Sequence, residues 1–268
     1  SGFGFSLQTL TIKKLAETSE YKATFQLICA RGVVQMFVSL YFIKKYNKET
    51  NTELFGPTPF VRRMLCIRSF VGFGGICFAF LALEHLPLGD TTVLVMISPI
   101  FATIFSYFAL GEPWRLPEVI ATVMSIGGVI FVAQPEFIFG SGTALAPIGV
   151  LFGVIASVSA GAAYTCVRIL GTTAKMPWWN VCFAQSLGQI FASIPLMFII
   201  KENRELPNLF ELFVIISIGF VGSWSQIAMT VGMQREKSAT ATGMRMSDVF
   251  FGFIWQVLFT RDNKLSLL

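Results

Sequence analysis

Charge is what this sequence has least of. Lys, Arg, Asp and Glu make up 13% of its 268 residues, about half of the roughly 25% usual in soluble domains. A soluble protein of this length needs a polar shell, and there is too little polar sequence to build one. Histidine is almost missing: His85 is the only one, which argues against a histidine-based zinc site or a Ser-His-Asp triad. The five cysteines, Cys29, Cys66, Cys77, Cys166 and Cys182, lie in apolar stretches at no metal-like spacing. They read as buried small hydrophobes. No other catalytic constellation stands out, so the chain is not read as an enzyme and no cofactor is expected. The net charge of +5 and pI of about 9.0 come without a dense basic patch interleaved with aromatics, so no nucleic acid is expected as a partner.

What is present is apolar sequence: 54% hydrophobic residues and a mean hydropathy of +0.69. This predicts an all-α, polytopic membrane protein. At roughly 30 residues per span and loop, the length allows about nine crossings. Eight full spans are predicted, at 24–43, 64–83, 91–110, 117–134, 146–170, 178–200, 210–233 and 240–260. Barrel strands would show shorter segments of alternating polarity. Asp90-Thr91 offers an N-cap, Gly111-Glu112-Pro113 breaks the chain, and Pro117 suits the first turn of the next helix. Residues 1–12 are apolar but span only about 18 Å, and they lack the basic start and cleavage site of a signal peptide. They read as the second half of a first helix whose beginning is absent. The chain stops at LSLL, and a tenth helix is read as missing there.

Orientation follows from the basic residues. With the partial helix counted as the first, the loops after even-numbered helices carry Lys44, Lys45, Lys48, Arg62, Arg63, Arg115, Arg168, Lys175, Arg235 and Lys237. Those after odd-numbered helices carry Lys13, Lys14, Lys22, Lys201, Arg204, Arg261 and Lys264. The bias of ten to seven places the N-terminus and the polar 44–63 loop in the cytosol. Nothing in the residues distinguishes plasma membrane from endoplasmic reticulum or Golgi.

A shift of 149 residues lays 64–110 on 213–259 without a gap, matching Ile67/Ile216, Ala79/Ala228, Thr91/Thr240, Ser98/Ser247 and Phe101/Phe250. The register of apolar spans and polar breaks supports a repeat better than these identities do. Units of five helices insert with opposite orientation, as in many secondary transporters. The predicted units are 1–134 and 146–268. Small residues recur every four positions at Gly149, Gly153, Ser157, Gly161 and Thr165, and again at Ala184, Gly188 and Ala192. Such faces let helix backbones approach closely in lipid.

Candidate chemistry lies in polar groups inside the spans: Arg31, Arg68, Arg245 and Asp248, with Tyr164 and Gln226 at mid-depth. An ionisable group in hydrocarbon usually faces a cavity or a partner. Gln35 lies one turn after Arg31. Arg68 shares a face with Gly72, Gly75 and Ala79, which directs it at another helix, although snorkelling to the interface is an alternative. Arg245 and Asp248 are three apart and can pair, either structurally or as a coupling site. The formal excess of +2 in the bundle suits an anionic solute.

The stretch ALEHLPLGDTTVLVMISPIFATIFSYFALGEPW (82–114) resembles the drug/metabolite transporter superfamily of EamA type. The resemblance rests on the short loop before Asp90, Ser98-Pro99 within the helix, and the closing Leu110-Gly111-Glu112. SIGGVIFV (125–132) and Arg31 continue it. REKSATATGMRMSDVFFGFIWQ (235–256) is similar to animal solute carrier family 35, subfamily G. In the second half Asp248 replaces the counterpart of Pro99, and Arg261 that of Glu112. The resemblance implies ten helices in two inverted five-helix repeats around a cavity open alternately to either side. The expected function is alternating-access transport of a small, anionic organic metabolite, with Arg31, Arg68, Tyr164, Gln226, Arg245 and Asp248 as substrate-binding residues. Alternatives are a non-transporting membrane interaction protein acting through the 44–63 loop, and a nucleotide-sugar transporter, although no residue pattern here recognises a nucleotide. Expected partners are the lipid bilayer and the solute; a homodimer or a membrane-protein partner stays open.

Overall fold

The computed structural model describes residues 2–8, 11, 24–50, 53–83, 85–86, 88–113, 115–133, 138, 146–199, 208–245, 247–248, 250–251, 254 and 258. Residues 2–8 are helical. Among the described residues nine further helices follow: α1 (Thr24–Thr50), α2 (Pro59–Leu83), α3 (Leu88–Val95), α4 (Ser98–Leu110), α5 (Leu116–Ala133), α6 (Pro147–Thr172), α7 (Trp178–Ile199), α8 (Leu209–Arg235) and α9 (Ser238–Arg245). No strand occurs among the described residues. Among the described residues six stretches are long and apolar enough to cross a membrane: Phe25–Tyr46, Pro59–Ala82, Asp90–Leu110, Pro147–Thr172, Trp178–Ile199 and Leu209–Arg235. These are the first, second, third, fifth, sixth and seventh of the expected spans. The expected 117–134 span is helix α5. Much of 240–260 lies outside the described residues.

Local signals account for the helix ends. Pro147 occupies the first turn of α6, where its missing N–H costs nothing. Asn208 and Glu211 form a reciprocal capping box at the start of α8: Leu209 N–H donates to Asn208 Oδ1 at 2.7 Å, and Asn208 N–H donates to Glu211 Oε2 at 2.8 Å. Gly111 ends α4 in the left-handed conformation at φ 66, which glycine adopts without a Cβ clash.

Three expectations need correction. The 91–110 span is not one helix but breaks at Met96–Ile97 into α3 and α4. Pro99 has no N–H to donate one turn back, and its ring crowds that carbonyl. The chain tightens accordingly, with Ile97 N–H donating to Leu94 O at 3.3 Å. Asp90 is not the N-cap, because α3 begins at Leu88 and Asp90 falls in its first turn, fully buried. The 44–63 loop is shorter than expected, because α1 runs on to Thr50 and α2 begins at Pro59. Lys44 and Lys45, in the last two turns of α1, are exposed.

The helices pack reciprocally between the two halves of the chain. α1 packs against α7, α2 against α6 and α7, and α8 against α1. Residues 2–8 meet α8 through Gln8 at Gly222 and Ser225 at Gly4. They also meet the region after α9, where Phe3 and Phe251 contact edge to face at 5.5 Å. Leu209 follows Pro59, and Ser238 follows Leu88, by 150 residues, and α3 and α9 both have eight. Large apolar side chains such as Phe37, Phe70, Phe108, Phe131, Phe191 and Trp224 point outward, as a bilayer requires and water does not.

The small-residue stripe of α6 is a contact face. Ser157 Oγ donates to Leu94 O, and Thr165 Oγ1 donates to Ala102 O at 3.2 Å. A Cβ on Gly161 would lie 2.6 Å from Phe101 Cβ and 2.8 Å from Ala102 N. Gly161→Ala therefore has to push α6 from α4, at about 1–3 kcal/mol. It is expected to lower the melting temperature of the purified protein. Gly127→Ala, which meets nothing within 4 Å in the middle of α5, is expected to leave it unchanged or raise it slightly, since alanine favours a helix over glycine, and an equal fall in both variants would refute this packing.

Candidate functional site

The interior of the bundle is polar around α7, which packs against α1, α2 and α8. Arg68 lies nine residues into α2, about 13 Å along its axis, and is 1% exposed. It does not snorkel to the interface. Its Nη2 donates to Gln185 Oε1 of α7 at 2.6 Å. Gly72, one turn on, makes room: a Cβ there would run into the Arg68 guanidinium. Ser69 beside it ties the same two helices, its Oγ donating to Ala184 O at 2.8 Å.

Arg31 of α1 donates from Nη2 to Gln226 Oε1 of α8 at 3.3 Å, and its guanidinium lies 5.8 Å from the centre of the Phe5 ring. Two of the expected residues, Arg31 and Gln226, are thus brought together from positions 195 apart. Gln35 does not join Arg31; its Nε2 donates to Cys182 O of α7 at 3.0 Å. Tyr164 belongs to a buried apolar cluster with Val167, Val181, Ala184 and Met229. Asp248 is half-buried, close to the N-terminal segment: a Cβ on Gly2 would lie 2.8 Å from its backbone nitrogen. The Arg245 side chain lies outside the described residues, and with it the expected Arg245–Asp248 pair.

Two further neutral residues, Gln185 and Gln189, lie outside the expected set. They lie one turn apart on α7 and are buried to 3% and 0% exposure. Gln189 has no hydrogen-bond partner for either amide atom among the described residues. A buried amide left without partners is costly unless something else meets it. The signal was available in sequence: two glutamines four apart inside an apolar span.

One end of the bundle is tied shut. Arg168 Nε meets Glu112 Oε1 at 2.8 Å, with side chains 11% and 18% exposed. Arg168 Nη1 also donates to Gln234 O at 3.0 Å, while Glu112 Oε2 accepts from Ser238 N–H at 3.2 Å. Ser238 Oγ and Ser106 Oγ are 2.6 Å apart. A carboxylate between a guanidinium and a helix N-terminus is favoured on both sides. This group joins the ends of α4, α6 and α8 to the start of α9. At the same end Asn180 Nδ2 donates to Glu53 O and Leu54 O, and Gln234 Nε2 donates to Met176 O at 3.0 Å. Arg168, expected in a loop, is instead a largely buried strut within α6.

Residues 1–134 match the family model described as EamA-like transporter family. Solute carrier family 35 member G1 of Mus musculus is 30% identical over 266 residues, covering 97% of this chain and 69% of that protein. A probable transport protein of Saccharomyces cerevisiae, YPL264C, is 25% identical over 90% of this chain and 73% of its own length. A solved crystal structure superposes with a TM-score of 0.74 at 17% identity, covering 96% of this chain and 86% of that one; this likeness concerns the fold alone. The family and these relatives are transporters rather than enzymes.

Proposed function

Because the chain belongs to the EamA-like transporter family, we propose that it moves a small anionic organic solute by alternating access. Arg31 and Arg68 would be the groups that recognise the anion. The observation that carries this reading is Arg68: a guanidinium buried inside an apolar span and held by an amide from the other half of the chain. A charge at that depth is expensive unless it is used, and an anion arriving at it gains a charge-assisted hydrogen bond. Gln189 and Gln226, with amide atoms unpartnered among the described residues, would supply neutral donors and acceptors around the solute. Tyr164, Arg245 and Asp248 remain candidate binding residues, with Asp248 also a candidate coupling site.

The two units are 1–134 and 146–268, inserted with opposite orientation, and the reciprocal helix contacts support that reading. The basic residues favour placing the N-terminus and the 44–63 segment in the cytosol. The Glu112–Arg168 end would then be the cytosolic gate, closed in this structure.

The test is a thermal-shift screen of the full-length protein against organic anions and their neutral analogues. A ligand at 100 times its Kd stabilises the folded state by about 2.7 kcal/mol. Anions are expected to raise the melting temperature of the wild type, and Arg31→Ala is expected to abolish most of that shift. Equal shifts from neutral analogues, or shifts unaffected by Arg31→Ala, would remove the anion reading. Anion shifts without counterflow in proteoliposomes would favour a binding protein over a carrier.

A further inference from the structure

We propose that the outer face between α2 and α7 is a binding site for one anionic glycerophospholipid, distinct from the solute site in the bundle interior. A groove of about 810 Å³ lies there. Phe70 and Phe191, 80% and 71% exposed, form its walls and open it towards the bilayer. Its base is made of small residues, Ser69, Ala184, Gly188 and Ala192. The base is shallow because α2 and α7 approach closely: a Cβ on Gly188 would lie 2.6 Å from Ser69 Cβ.

Length and charge identify the occupant. Along α2 the groove runs from Arg62 to Phe73, a rise of about 16 Å. A bilayer core is about 30 Å thick, so one leaflet, and one acyl chain within it, covers about 15 Å. The groove is therefore one leaflet deep, and only its outer end is charged. There Arg62 Nη2 meets Glu53 Oε2 at 3.2 Å, the two side chains 57% and 61% exposed. Arg63, Lys44 and Lys45 are exposed at the same end of the bundle. An apolar slot ending in an accessible guanidinium, with an excess of cations around it, complements an acyl chain joined to a phosphate. The surrounding positive charge favours a headgroup with net negative charge over a zwitterionic one.

The full chain would be placed in nanodiscs of phosphatidylcholine containing a minor fraction of phosphatidylglycerol carrying a photoactivatable acyl chain. Crosslinks are expected on the peptides spanning Cys66–Phe73 and Leu187–Ala192. Native mass spectrometry is expected to retain one phosphatidylglycerol per chain. Ala192→Trp, which fills the slot, should reduce retention at least tenfold. Arg62→Ala should reduce the preference for phosphatidylglycerol over phosphatidylcholine about fivefold, the factor for one cation near an anionic surface. Phe131→Trp, outside the groove, should change neither, and Cys66→Trp serves as a second filling variant should Ala192→Trp fail to fold. Crosslinks spread evenly over all outward faces, or equal retention in the filled variants, would overturn the proposal and leave only unselective annular lipid.

Discussion

Arg68→Ala is expected to reduce solute movement by at least tenfold while leaving the helical content intact. The guanidinium is 1% exposed and bonded to Gln185 at 2.6 Å. Hydrogen bonds to charged groups contribute about 1.5–3 kcal/mol. Lost from solute recognition, that corresponds to roughly 10- to 150-fold. Alanine also leaves Gln185 Oε1 buried without this donor, so some stability is lost as well, and the two effects must be separated. Arg68→Lys keeps the charge but replaces the planar fork with a point charge; it is expected to recover part of the stability and less of the transport. Gly72→Val keeps the arginine and displaces its head, because a Cβ at Gly72 meets that guanidinium. It should mimic Arg68→Ala in transport if position matters as much as charge. Counterflow in proteoliposomes, normalised to folded protein, is the measurement. Wild-type rates in Arg68→Ala would reduce Arg68 to a packing residue and remove the strongest support for an anion site.

The second large effect is expected at the tied end. Glu112→Ala removes the ion pair to Arg168 and the acceptor for Ser238 N–H together. Breaking a fully buried pair costs about 3–5 kcal/mol. With 11% and 18% of the side chains exposed, solvent screening brings this to about 2–3 kcal/mol. That is enough to shift a two-state equilibrium about 30- to 150-fold towards opening at this end. Cys166, two residues before Arg168 and 7% exposed, reports the change. In a background retaining only Cys166, a membrane-impermeant thiol reagent is expected to react slowly with wild type and at least tenfold faster with Glu112→Ala. Arg168→Ala should behave alike, and the double variant should be no worse than either single. A charge swap, Glu112→Arg with Arg168→Glu, should rescue only in part: arginine cannot accept from Ser238 N–H, and glutamate cannot donate to Gln234 O. Unchanged labelling in Glu112→Ala would show that other contacts hold this end shut.

Much of the fold was legible in the residues, for identifiable reasons. Stretches of about 20 apolar residues can do little but cross a bilayer as helices, because lipid offers no hydrogen bonds to an unpaired backbone. Gly111 ended its helix where expected, since a left-handed cap needs no tertiary context. The stripe from Gly149 to Thr165 marked a contact face because spacing by four holds a side of the helix constant. The break at Met96–Ile97 was less visible, because a proline within a membrane span can leave the helix merely kinked, its freed backbone groups met by neighbouring helices.

The candidate site was legible in its arginines and in Gln226, but not in Gln185 and Gln189. Sequence alone determined that Arg31 and Arg68 lie inside spans, that the protein is an all-helical membrane protein, and which helix faces carry small residues. Tertiary structure alone decided the partners: Gln226 rather than Gln35 for Arg31, Gln185 for Arg68, and Glu112 for Arg168. Those partners lie 195, 117 and 56 residues away. Periodicity identifies the face on which a side chain stands. What that face meets depends on which helices are neighbours, and the chain settles that only when all of them pack together.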